Sequence, residues 1–379
     1  MTHSATMRNI PFNRPVHTAQ DIPRIAEALA GTTCGTGRFG RRCEELLRGV
    51  LGCPALLVSS ATHALEMAAL LLDIGPGNEV IVPAFTLSAT VNAFLLRGAK
   101  PIFADVDPSG NLDLADVTRQ LSPRTRAVVP VHYAGNSCDL DELRAAIGTV
   151  PIVEDAAQAI GASFRGKPLG TFGGCAAISF HESKNVGCGE GGTIVLRDTS
   201  LVERAEILRD KGTNRRRFEQ GLVDLYTWAD VGSSYTLSEL NAAWLSAQLE
   251  ELPRIQARRQ QIWDRYLAGL ETSVQRVGAS VLRGRTDCSG NAHLFAIVFR
   301  SGEQRSGYIA HMKENGIDCR FHFVALHTSP MGRKLHDGRA LPGCERLSKC
   351  LVRLPLYFEL TDVESDRVID TTVEFLRKL

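Results

Sequence analysis

Neither sign of charge dominates this chain: 43 lysines and arginines face 42 aspartates and glutamates over 379 residues, a net charge of +1. That balance excludes a bulk field for gathering nucleic acid or anionic membrane, so any phosphate-bearing ligand must be held by a local site. Long apolar runs are missing too, and none reaches the about 18 residues that a bilayer crossing needs. The opening stretch MTHSATMRNIPFNRP has no apolar core and no small-residue cleavage site, so no secretory signal is expected. Ten cysteines occur without one C-x-x-C pair, and several, such as Cys175 and Cys319, sit inside apolar runs. Such thiols read as reduced and buried in a cytoplasmic protein. Metal-ligand spacing is absent, so no metal site is expected. Absent as well is G-x-x-x-x-G-K-[ST], which excludes a nucleoside-triphosphate loop.

What is present is ordinary in bulk, with 44% hydrophobic and 22% charged residues. The length suits two domains. From Ala55 to Arg197, short β-branched runs alternate with longer helical patterns: ALLVSS before ATHALEMAALLLDIG, NEVIVPAF before SATVNAFLLRGA, PIFADVD before LDLADVTRQL, RAVVPVHYAG before DLDELRAAIG. Strands apolar on both faces and separated by helices predict an α/β fold with a mixed, mostly parallel sheet. The segment from Leu237 to Leu270 reads as long helix interrupted at Pro253, bridging two domains. After about Gly278, shorter strands and separated helices indicate α+β structure. We therefore expect a large domain over 1–255, with an N-terminal arm over about 1–24, and a smaller domain over 256–379.

In open sheets of this kind ligands bind beyond the carboxyl ends of the strands, and three such ends carry chemistry. Ser59-Ser60-Ala61-Thr62 lies between a strand and a helix, where hydroxyls and free backbone N–H groups suit a phosphate or serve as a simple helix cap. PIVEDAAQ ends a strand on Glu154-Asp155, with Gln158 following. A buried carboxylate there needs a cation or several donors; a protonated pyridine nitrogen is one such partner, and capping the next helix is the other reading. In AAISFHESKNVGCGEGGTIV, Lys184 follows a strand and precedes Gly187, Gly189, Gly191 and Gly192. Alone it reads as a surface lysine on a turn. A buried amine of depressed pKa, with backbone packed closely around it, would instead be a nucleophile toward an aldehyde. A phosphate cradle, a pyridinium carboxylate and a lysine together are the parts of a pyridoxal phosphate site.

The residues from IPFNRP through LLDIGPGNEVIVPAFT, VPVHYAG, EDAAQAIG, SFHESKN…GEGG and LSELNAAWLSAQLE to LPLYFEL resemble the DegT/DnrJ-type sugar aminotransferases over nearly the whole chain. SFHE-x-KN, KGTNR and DVGSSY look most like the branch that aminates TDP-4-keto-6-deoxyglucose. The resemblance implies the fold type I (aspartate aminotransferase-like) architecture, a homodimer and pyridoxal 5'-phosphate, with the pyridoxamine form during turnover. It puts the Schiff-base lysine on Lys184, the pyridinium carboxylate on Asp155 and the ring-hydroxyl contact on Gln158. Phosphate contacts fall on Ser179 and on Ala61 or Thr62 with the adjoining Ser60. Relatives send an asparagine from the neighbouring subunit to the phosphate; in GSSYT, Ser234 stands there. Leu87 replaces the usual aromatic ring over the cofactor, which loses about 1 kcal/mol of stacking.

The implied reaction moves an amino group from L-glutamate to a keto carbon of a nucleotide sugar in two halves, with Lys184 carrying the proton. His181, Glu182, Arg215 and His327 are candidate substrate contacts, and the basic run Lys211 with Arg215 to Arg217 is a candidate diphosphate grip. His132 reads as a core histidine or a site residue. Alternatives are another keto sugar nucleotide (3-keto or GDP-linked) or a non-catalytic cofactor-bound regulator. A sugar dehydratase of the same fold carries histidine in place of the lysine, so Lys184 argues against it.

Overall fold

In the computed structural model, residues 9–33 and 36–379 are described; the first eight residues of the expected N-terminal arm lie outside them. Seven strands form the main sheet: β1 (Ala55–Val58), β2 (Glu79–Pro83), β3 (Lys100–Ala104), β4 (Thr125–Val128), β5 (Val153–Asp155), β6 (Cys175–Ser179) and β7 (Gly192–Leu196). β3-β2-β4 and β5-β6-β7-β1 are hydrogen-bonded groups, joined where Val128 pairs with Ile152 and Val131 with Asp155. All neighbours run parallel except β7, which is antiparallel to both β6 and β1. β1, β2, β5, β6 and β7 are buried along their whole length, so their apolar runs face helices on both sides.

The carboxyl ends of β1, β5 and β6 deliver Ser59-Ser60, Asp155 and Ser179 to one edge of the sheet. Helix Glu239–Glu250 ends at Glu251, and a new helix, Leu252–Arg276, begins with Pro253 in its first turn, where a missing N–H costs nothing. That second helix passes between cores: Ile255 packs with Leu47, Ile81 and Ile178, whereas Ile262, Tyr266, Leu270 and Val274 pack with Phe295, Tyr308 and Val368.

The C-terminal sheet is antiparallel, in the order Ser280–Val281, Phe295–Val298, Leu351–Leu354, Arg320–Phe321. One face packs on helices Leu252–Arg276, Gly302–Glu314 and Asp362–Leu376. Ala296, Val298 and Leu351 instead join the core that holds Leu56, Val80 and Phe85, so this sheet is seated on the larger one. The N-terminal segment also spans both parts. Ile10 pairs with Ile317 and belongs to the C-terminal core, while Val16 packs into the core beneath the main sheet.

Candidate active site

A cavity of about 690 Å³ opens at the carboxyl ends of the parallel strands. It brings together Ser60, Ala61, Thr62, Leu87, Asp155, Gln158, Ser179, His181, Glu182 and Lys184. Segments Pro11–Asn13 and the C-terminal residues His293, Arg320, His322, Phe323 and Arg353 complete its walls.

At the end of β1 the chain turns into helix Ala61–Leu71, whose N-cap Ser60 accepts the His63 N–H at 3.1 Å. The cap satisfies that one donor and leaves the N–H groups of Ala61 and Thr62 aimed past the helix start, in the positive end of its dipole. Gly192 on β7 lies against this turn. A Cβ there would fall 2.4 Å from the Ala61 nitrogen, so only glycine lets the strand approach so closely. Ser179 ends β6, and its Oγ accepts the His181 N–H at 3.3 Å.

Glu154 and Asp155 are sequence neighbours with opposite duties. Glu154, fully buried, accepts Gly170 N–H at 2.7 Å, Phe172 N–H at 2.6 Å and Gly173 N–H at 2.7 Å, and lies 2.7 Å from His132 Nε2. Burial alone would raise its pKa, but His132 and these backbone donors outweigh it and hold the carboxylate below its usual range. His132 is thus a core histidine pinning a loop. Asp155 points to the cavity instead: Thr90 Oγ1 donates to Oδ2 at 2.7 Å and Ala157 N–H to Oδ1 at 3.2 Å.

Gln158 has its carboxamide oxygen occupied by the Ala134 N–H at 2.8 Å, which leaves its NH2 as the group offered to a ligand. Lys184 is anchored through its backbone N–H to the His181 carbonyl at 2.9 Å. Its amine has no hydrogen-bond or ion-pair partner among the described residues. Burial lowers its pKa to about 8; nearby Asp155 opposes the shift and Arg353 adds to it. Gly187 and Gly191 let this loop fold on itself, since a Cβ would meet the His181 oxygen at 2.8 Å or the Cys188 sulfur at 2.6 Å.

Leu87 is 57% exposed on the cavity wall, so it is not a core residue. His181 and Glu182 stand at the rim, where His181 Nδ1 meets Ser183 Oγ at 2.8 Å. Three expected residues lie elsewhere in the chain. Ser234 and Arg215 line a second cavity of about 940 Å³, and Arg215 pairs with Glu219 at 2.9 Å. The rest of that basic run is also committed: Lys211 to Asp210 at 2.7 Å, Arg216 to Glu206 at 2.9 Å and Arg217 to Glu203. His327, the expected substrate contact, does not line this cavity. It is buried beside His336 and lies 3.6 Å from Glu345, while the neighbouring Ala325 N–H donates to Ser348 Oγ at 3.1 Å, so its 3-10 turn is tied to helix Pro342–Cys350.

Sequence reasoning missed the C-terminal wall. His293 Nδ1 lies 2.9 Å from Asn185 Oδ1, and His322 Nδ1 lies 3.0 Å from the Tyr133 hydroxyl. Burial, reinforced by the charges of Lys184 and Arg353, holds both imidazoles well below their usual pKa, hence neutral. Arg353 interrupts the apolar run of LVRLPL, and a charge inside a buried strand was the available signal.

A family model for DegT/DnrJ/EryC1/StrS aminotransferases matches residues 15–373. The chain belongs to this family. Among solved structures, the aminotransferase TlmJ from Streptoalloteichus hindustanus is 29% identical, with a TM-score of 0.89 over 98% of this chain and 99% of that one. DesV of S. venezuelae is 30% identical, with a TM-score of 0.87 over 98% of this chain and 100% of its own. The putative sugar aminotransferase Spr1654 from Streptococcus pneumoniae, in its PLP form, is 25% identical, with a TM-score of 0.89 over 98% and 99%. It is also known in a PMP form. The fold is that of the PLP-dependent fold type I transferases, and the family's cofactor is pyridoxal 5'-phosphate. The cavity suits that group chemically: a helix N-terminus with glycine clearance, a half-satisfied carboxylate, a free amide NH2 and an unpartnered amine.

Proposed function

We propose that this aminotransferase acts on a sugar, moving an amino group from L-glutamate to the keto carbon of a nucleotide-linked keto sugar, with TDP-4-keto-6-deoxy-D-glucose as the first substrate to try. The observation that carries the reading is the unpaired Lys184 amine, with its pKa near 8, in one cavity with Asp155 and the Ala61–Leu71 helix start. The sugar and the 4-keto position rest on the SFHESKN, KGTNR and DVGSSY stretches and on the sugar aminotransferase among the similar structures.

Ser60, the N–H groups of Ala61 and Thr62, and Ser179 would hold the cofactor's phosphate, Gln158 its ring hydroxyl and Asp155 its ring nitrogen. When bound, the cofactor supplies an electron sink for the carbon that loses a proton. Asp155, oriented by Thr90 and the Ala157 N–H, would face the ring nitrogen and favour its protonated form. The Lys184 amine, its pKa lowered to about 8 so that a neutral fraction exists near physiological pH, would take the proton from the donor's α-carbon and return it on the cofactor side. Leu87, exposed on the cavity wall, would give the cofactor apolar contact and exclude water there. In a homodimer, Ser234 would reach the neighbouring subunit's phosphate. Residues 1–255 and 256–379 would then act as a cofactor-binding unit and a cover.

The test is the absorbance of the cofactor-loaded protein. L-glutamate should bleach the yellow band, and TDP-4-keto-6-deoxy-D-glucose should restore it. A yellow protein that ignores glutamate and every other amino acid would sink the reading; recovery only with another keto sugar would move the substrate.

A further inference from the structure

Residues 181–191, the loop that carries Lys184, form neither helix nor strand and include Gly187, Gly189 and Gly191, so ordering this backbone is costly in conformational entropy. Asn185, the residue after the lysine, is buried and ties the loop to the C-terminal wall. Both ends of its carboxamide go to one short segment there: Nδ2 donates to the Asn291 carbonyl at 2.8 Å, and Oδ1 faces His293 Nδ1 at 2.9 Å. The first bond settles the second. With the NH2 given to a carbonyl, Oδ1 is the end left to accept, so the network assigns the His293 proton to Nδ1. Burial, with the charges of Lys184 and Arg259 behind it, holds this imidazole well below its usual pKa, so the ring carries that one proton alone.

The segment 291–293 is itself built to keep this pose. Ala292 sits at φ +49°, in the left-handed region that a residue with a Cβ avoids. Arg259, buried on helix Leu252–Arg276, holds it there: Nε donates to the Ala292 carbonyl at 3.1 Å and Nη2 to the His293 carbonyl at 2.6 Å. Asn291 joins the same segment to the main-sheet wall, its Nδ2 donating to the Gln158 carbonyl at 2.9 Å. A buried guanidinium given to two carbonyls and a strained alanine both cost stability, and such features persist where a site must be held in one geometry. Resting on the aminotransferase reading above, we propose that His293 is a positioning residue for Lys184: its Nδ1–H grips Asn185 and so fixes the backbone from which the lysine amine reaches the cofactor. Arg259 holds the grip and Asn291 keys it to Gln158, so one segment of the C-terminal wall sets both the lysine and the contact for the cofactor's ring hydroxyl. His293 acts through Asn185 and takes no part in the proton transfer.

The experiment compares His293→Leu, which keeps the bulk and removes the donor, with His293→Asn, whose side-chain NH2 replaces the Nδ1–H. In the full chain, amide hydrogen exchange over 181–191 should quicken about tenfold in H293L and less than about threefold in H293N, with exchange in the main-sheet strands unchanged. The rate at which pyridoxal phosphate attaches to the cofactor-free protein should fall about tenfold in H293L and stay within about threefold of native in H293N. Asn185→Ala breaks the same bond from the other side and leaves the segment 291–293 intact; it should loosen the loop as H293L does. The double variant, H293L with N185A, should lose no more than N185A alone. Unchanged exchange in H293L would overturn the proposal. So would faster exchange without slower attachment, a loss in H293N as large as in H293L, or losses that multiply in the double variant. Native protein that takes up no pyridoxal phosphate, yet shows the expected exchange in both His293 variants, would uphold the grip on the Lys184 loop and remove the aminotransferase reading.

Discussion

The wall of the cavity built by the main sheet and the wall built by the C-terminal sheet hold their polar groups differently. On the main-sheet side three groups at strand ends or helix starts have a local partner: Ser60 with the His63 N–H, Asp155 with the Ala157 N–H, Ser179 with the His181 N–H. Backbone geometry within three residues orients Ser60 and Ser179, and Asp155 takes a second bond from Thr90. On the C-terminal side, His322 is set by Tyr133 and Arg353 by Phe321 and Phe12, partners far along the chain. One wall is preorganised locally and suits an invariant cofactor. The other depends on how two sheets and the N-terminal segment pack, and suits a varied substrate.

The sharpest way to break that contrast is Lys184→Ala, which should lower turnover by about 10³-fold or more because it removes the group proposed to move the proton. Steady-state assay checks it, and an unimpaired variant would end the assignment. Next comes the pair of neighbouring carboxylates. Glu154→Ala should cost about 3–5 kcal/mol in urea unfolding, since it strands His132 and three backbone N–H groups in the interior. Asp155→Ala should cost far less stability and impair cofactor function instead; equal destabilisation would erase the distinction between them.

A pH experiment joins the two walls. Below about pH 8 the Lys184 amine is mostly protonated, so the rate at which added pyridoxal phosphate attaches should rise with pH and level off above that value. Asp155→Asn removes the charge that favours the protonated amine and should move the midpoint down; Arg353→Gln removes one that disfavours it and should move the midpoint up. Shifts of the same sign would contradict the geometry. The smallest effect is expected from Ser60→Ala, about 1 kcal/mol for a lost helix cap, read as a drop in melting temperature alongside weaker cofactor retention.

Much of the main-sheet wall was legible in the sequence because its determinants are local. A strand ending in Ser-Ser before an apolar helix, or in Glu-Asp before Ala-Ala-Gln, announces both the turn and the groups it presents. The same local view did not say which of Glu154 and Asp155 faces the cavity. Strand alternation puts them on opposite sides, and only the loop at Gly170 to Gly173 and His132 claims Glu154. Nor did it reveal that His327 turns toward Glu345, or that the cations around Arg215 already have acidic partners.

The order of strands and helices, the parallel sheet and the strand ends that carry Lys184, Asp155, Gln158 and Ser60 follow from period, capping and glycine positions, which act over a few residues. The C-terminal wall was decided by tertiary packing alone. Phe12 meets Arg320 and Arg353 across more than three hundred residues of chain. Such contacts arise when two apolar cores settle against each other, and no pattern confined to a short window encodes which buried cation is left without a carboxylate.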